Sequence, residues 1–207
     1  MIVEKVPVGA VIVDSLPFSD GGTNLQAANL KADRVDGIAG YLGAMTPARL
    51  EDVLSEGLGF MPVTFAGEYN DGPNDEVAQL QALGIPAGTS VWLDLEGMKA
   101  FKTDPIVLAA RIDAWATTIE AHGWIPMLYV GVPQPLTSDE LWRLKVRGYW
   151  RGQGSIRDRY NALAEPTGCG WMMTQMYPSH MRGSTWVDVN MVGQDYRGRV
   201  PMWLRRG

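Results

Sequence analysis

Cysteine is nearly absent from this chain. Cys169 stands alone, which excludes an intramolecular disulfide and a cysteine-built zinc site. His122 and His180 are the only two histidines, too few for a histidine-rich metal centre. No apolar run approaches the roughly 20 residues that a membrane-spanning helix needs. Basic charge is in deficit, with 18 Lys and Arg against 23 Asp and Glu and a net charge of −5. That balance argues against nucleic acid as the main partner, because phosphate binding needs a basic surface. The one locally basic stretch is the end of the chain, "YRGRVPMWLRRG". The opening "MIVEKVPVGAVIVDS" lacks the basic, apolar and small-residue order of a signal peptide.

What is present reads as an alternating α/β chain. Apolar, β-branched runs at 9–15, 36–43, 58–66, 89–97 and 124–131 predict five strands. Amphipathic stretches at 23–32, 46–57, 73–84, 104–123 and 137–144 predict helices between and after them. Thr46 with Pro47, and Asp104 with Pro105, are helix-start signals, and Gly57 and Gly123 are stops. After residue 144 the alternation weakens. Three further strands are expected at 147–152, 170–177 and 184–190, with a single helical stretch, 155–165, among them. Eight strands with helices after the first five predict a closed parallel (β/α) barrel of the TIM type, its helices reduced in the last third. Residues 1–207 are expected to form one domain, with 191–207 as a C-terminal tail.

Within that frame "SVWLDLEGMK" (90–99) stands out, because it sets two acids among residues that want to be buried. Alternation along a strand puts Asp94 and Glu96 on one face, about 6.6 Å apart, and turns Leu93 and Leu95 to the helix layer. The pair sits at the C-terminal end of its strand, where barrel enzymes build their sites. Asp14 in "VIVDS" and Asp188 in "TWVDVN" occupy the corresponding ends of the first and last barrel strands. Closure makes those two strands neighbours, so four carboxylates are expected at one mouth. Clustered carboxylates do not all stay ionised, and a protonated Glu beside an ionised Asp is the pair that cleaves glycosidic bonds. Tyr129, Trp150, Gln175 and Tyr177 lie near the ends of strands 5 to 7 and are candidates for holding sugar rings.

These segments resemble the family-25 glycoside hydrolases, lysozymes that cut peptidoglycan. "VWLDLEG" is similar to their Asp-x-Glu strand, "VIVDS" to the first-strand aspartate, "PMLYVG" to the fifth strand, and "TQMY…WVDVN" to the closing segments. The middle, "GYLGAMTPARLEDVLSEGLGFMPV", looks more like a sister group, the glycoside-hydrolase-like barrel domain long catalogued as a domain of unknown function in actinobacterial and phage proteins. The resemblance implies Glu96 as general acid. It implies Asp94 as stabiliser of the cationic transition state or as anchor for the substrate's acetamido group, with Asp14 and Asp188 tuning the pair. It calls for no metal and no cofactor. It places the protein in a host cytoplasm before lysis, or on a virion, acting on the cell wall.

The same residues admit other readings. The acids could bond loop amides and serve structure alone, in a catalytically silent barrel that binds glycan or belongs to a phage assembly through its tail. Clustered carboxylates also hold Mg²⁺ or Ca²⁺, as in a phosphodiesterase. His122, beside Gly123 at a helix end, reads as a cap, and Cys169 as a small packing residue.

Overall fold

Eight short strands close into a barrel, and two more, from the chain ends, cover its lower end. The computed structural model describes residues 1–14, 27–65, 73–95, 103–131, 134–152, 163–182 and 185–207. The strands are β1 (Ile2–Lys5), β2 (Val11–Asp14), β3 (Gly37–Tyr41), β4 (Gly59–Phe65), β5 (Ser90–Leu95), β6 (Ile125–Val130), β7 (Tyr149–Arg151), β8 (Met173–Arg182), β9 (Thr185–Val192) and β10 (Met202–Arg205). The described helices are α1 (Ala27–Ala32), α2 (Pro47–Ser55), α3 (Pro73–Ala82), α4 (Pro105–Ala121) and α5 (Ser138–Arg143). Strands β2 to β9 pair in sequence order around the barrel, with β9 returning to β2. Helices follow each of β2 to β6, as the sequence predicts. Of the stretch 155–165, residues 155–162 lie outside the described residues.

One expectation is corrected. Strands β2 to β8 run parallel, but β9 is antiparallel to both its neighbours. Only residues 183 and 184 separate β8 from β9, whereas a parallel crossover needs a dozen or more. The chain therefore turns back as a hairpin. Asp188 is not at the end of its strand but within it, directly opposite Asp14.

Strand alternation sorts the apolar residues into two cores. Val13, Ile38, Phe60, Val91, Leu93, Leu95, Leu128 and Val130 face outward and pack with Leu54, Leu80, Ile112 and Trp115 of the helices. Ile12, Ala39, Met61, Val63, Trp92, Met127, Trp150, Met173 and Val192 fill the interior. Local signals fix the helix ends. The Thr46 hydroxyl accepts from the Arg49 N–H at 3.3 Å, and the Asp104 carboxylate accepts from the Ile106 N–H at 2.8 Å, each ahead of a proline at the first turn. Gly123, at φ +88°, turns the chain out of α4 and into β6. His122 caps that helix, its Nδ1 2.9 Å from the Thr118 carbonyl.

The segment expected as a tail carries β10. It pairs with β1 on one side and meets β4 at Leu204–Phe60, below the first β4–β5 pair, Val63–Trp92. The Met202 N–H also donates to Ser90 Oγ at 2.9 Å, so β10 sits where β4 and β5 diverge. Trp203 lies against the first residues of β3 and β4. A Cβ at Gly59 would fall 2.1 Å from its ring and one at Gly37 2.9 Å, so both positions must stay glycine for the indole to fit.

Candidate active site

Alternation puts Asp14, Asp94 and Asp188 on the same face as the interior residues Ile12, Trp92 and Asn190. All three stand at the upper end of the barrel. β2 and β9 are neighbours and β5 lies on the opposite wall, so Asp94 faces the Asp14–Asp188 pair across the mouth. Asp94 is 1% exposed, and Asp14 is also buried. A carboxylate so placed is costly unless bonded. Tyr41, on β3, donates its hydroxyl to Asp94 Oδ2 at 2.8 Å. The Tyr41 ring in turn stacks on Phe65 of β4, with centroids 5.1 Å apart.

The other wall is held by an amide. Two aspartates directly opposite on antiparallel strands repel each other. Asn190 Nδ2 donates to Asp14 Oδ1 at 2.6 Å, and the Ser179 hydroxyl donates to Asp188. The Asn190 side chain is oriented from its other end, where its Oδ1 accepts from Trp150 Nε1 at 3.0 Å. Tyr129 donates to Gln175 Oε1 at 2.8 Å and packs edge-on against Trp150, with centroids 4.5 Å apart.

The structure thus brings Asp14, Asp94, Asp188, Tyr129 and Gln175 together. Trp150, in register with Tyr129 and 1% exposed, supports Asn190 through its indole N–H and packs against the Tyr129 ring. Glu96 lies outside the described residues. So does the side chain of Tyr177, whose backbone belongs to β8. Sequence reasoning missed Tyr41, Asn190 and Ser179. The first two had a signal: each continues the interior alternation of its strand, Ala39 to Tyr41 and Asp188 to Asn190. Ser179 had none, because it reaches Asp188 through an irregularity in β8 between Met176 and His180.

Among the described residues no group of three His, Cys, Asp or Glu side chains is arranged to hold a metal ion, and no helix is long and apolar enough to cross a membrane. Cys169 is buried away from the mouth, and burial pushes its thiol up, which keeps it protonated and unreactive.

This architecture has been seen before. In sequence, no family model and no curated protein matches the chain. In structure, an uncharacterized protein of B. stearothermophilus superposes with a TM-score of 0.67 at 18% identity, over 89% of this chain and 96% of that one. The bacterial lysozyme of Streptomyces coelicolor does so with a TM-score of 0.61 at 13% identity, over 93% and 96%. The catalytic domain of the endolysin ply40, from a bacteriophage of Listeria monocytogenes, gives 0.58 at 16% identity, over 91% and 95%. The chain has the barrel fold of these proteins over nearly their whole length.

Proposed function

We propose that this protein is a glycoside hydrolase of the lysozyme type that cuts the glycan strands of peptidoglycan. The observation that carries the reading is Asp94, buried and bonded by Tyr41 on one wall of the mouth, facing Asp14 and Asp188 on the other. That arrangement suits an oxocarbenium-like transition state, whose positive charge develops between carboxylates held away from bulk water. In this reading Glu96, two positions beyond Asp94, is the general acid that protonates the leaving oxygen. Asp94 stabilises the cation or holds the acetamido group for internal attack. Asp14 and Asp188 orient the sugar and set the charge of the site. The chemistry calls for no metal and no cofactor. The likeness in fold to a bacterial lysozyme and to a phage endolysin supports both the substrate class and a place of action at the cell wall.

The test is release of reducing ends from purified peptidoglycan by the wild type and by Glu96→Gln, with circular dichroism confirming that both fold. Release by the wild type and a loss of about a hundredfold or more in the variant are expected, the scale of a general acid. If the wild type binds the polymer but releases nothing, the barrel is a binding module and the hydrolase reading falls.

A further inference from the structure

The β8–β9 hairpin outgrows the barrel. Among the described residues the ladder on its β7 side runs as far as Thr174, and on its β2 side back to Asp188, and the two strands stay paired with each other as far as Arg182–Thr185. Its outer part runs on past those pairs and carries exposed side chains. The register of β9 is unbroken, so Trp186 shares the face of Asp188 and Asn190, the face that looks into the mouth. Met181 is directly opposite Trp186 and lies on that face too. Both are largely exposed, Trp186 at 63% and Met181 at 56%. Most of the chain's other tryptophans are spent on its cores: Trp92, Trp115, Trp124, Trp150 and Trp203 are all buried.

We propose that Trp186, with Met181 beside it, is a stacking platform for one pyranose ring of the bound glycan, next to the ring held between the carboxylates. The inference rests on the glycosidase reading and names a binding subsite within it. A pyranose presents an apolar C–H face and a rim of hydroxyls, and the hairpin offers the complement of both. The indole and the thioether accept the face. Asp188, about 6.6 Å along the strand from Trp186, and its neighbour Asp14 accept hydrogen bonds from the rim. A flat apolar pair continuous with a carboxylate-lined mouth fits a sugar better than an apolar protein surface, which would desolvate the Asp188 carboxylate and add no donor to the one Ser179 supplies.

The experiment measures binding to insoluble peptidoglycan by co-sedimentation, in a Glu96→Gln background so that the polymer is not consumed. Trp186→Ala is expected to weaken binding about tenfold, the scale of a lost stacking contact, and Trp186→Phe to keep most of it. Met181→Ala gives a smaller loss and serves if Trp186→Ala fails to fold. In the active chain, Trp186→Phe and Met181→Ala should raise KM with little change in kcat. Unchanged binding by Trp186→Ala and Met181→Ala overturns the platform, and leaves the glycosidase reading standing if the wild type still releases reducing ends. Binding that depends on Trp186 in a chain that releases none keeps the platform and removes the hydrolase. A change in oligomeric state on sedimentation, with glycan binding intact, assigns the face to a second copy and overturns the proposal.

Discussion

The lower and upper halves of the barrel interior are built on opposite principles. Below, Trp203 is wedged onto Gly37 and Gly59, and Met61, Trp92, Met127 and Met172 fill the space with little polar content. The Trp92 indole N–H points at the Met61 sulfur, 3.4 Å away, a weak acceptor. Above, polar side chains line the interior, and three of their hydrogen bonds join strands two places apart. Tyr41 on β3 bonds Asp94 on β5, Tyr129 on β6 bonds Gln175 on β8, and Trp150 on β7 bonds Asn190 on β9. Barrel interiors stack side chains in layers drawn from alternate strands, and that geometry decides which groups can meet. The comparison teaches a division of labour. The floor supplies stability through volume, and the upper tier uses that rigid base to hold carboxylates where solvent alone would not keep them.

The floor should answer to size. Trp203→Ala removes a fully buried indole against which two glycines are shaped, and is expected to cost about 3–5 kcal/mol in urea denaturation. Under conditions where the variant remains folded, its activity per folded molecule should stay close to that of the wild type. A small loss of stability would mean that β10 is a dispensable cover rather than part of the barrel, and would break the comparison at its lower half.

The upper tier should answer to bonding instead. Asn190→Leu keeps a similar volume but removes both ends of a relay, leaving the Trp150 N–H and the Asp14 carboxylate to find other partners. A stability loss of about 1–3 kcal/mol is expected from the two lost bonds and the buried Trp150 N–H. Release of reducing ends should fall more than stability does, because Asp14 then loses the amide that orients it from β9. Equal activity in Asn190→Leu and wild type would show that the Asp14 position is immaterial to the chemistry.

Much of this division was legible beforehand because alternation is a strong signal. It placed all eight barrel strands and put Asp94 inward with Leu93 and Leu95 outward. Three features escaped it for physical reasons. Alternation has the same period in either strand direction, so the reversal of β9 was invisible in the pattern, although the two-residue link to β8 forbids a parallel crossover. The terminal strands β1 and β10 have four residues each and owe their conformation to each other, across nearly the whole length of the chain. The bonds of Asn190 and Tyr41 join strands far apart in sequence, and spacing alone does not reveal such partners.

A final contrast sets the mouth against a charge outside it. Glu140 closes a capping box at the start of α5: the Thr137 N–H donates to its carboxylate at 2.8 Å, and its own N–H donates to the Thr137 hydroxyl. The backbone bond from Thr137, followed by the hydroxyl bond, holds the Glu140 carboxyl below its ordinary value. A carboxyl lowered on folding contributes stability that is fully present above its unfolded value. That contribution is lost as pH falls through the lower folded one. Glu140→Gln keeps an acceptor but not the charge, so the variant should melt slightly below the wild type at pH 7, with the gap closing as the solution is acidified past the glutamate range. Release of reducing ends at pH 7 should not change, because α5 lies on the outer layer and, among the described residues, bonds nothing in the mouth. A gap that persists in strong acid would trace the box to shape rather than charge. A change in activity would mean that the outer layer reaches the carboxylates after all.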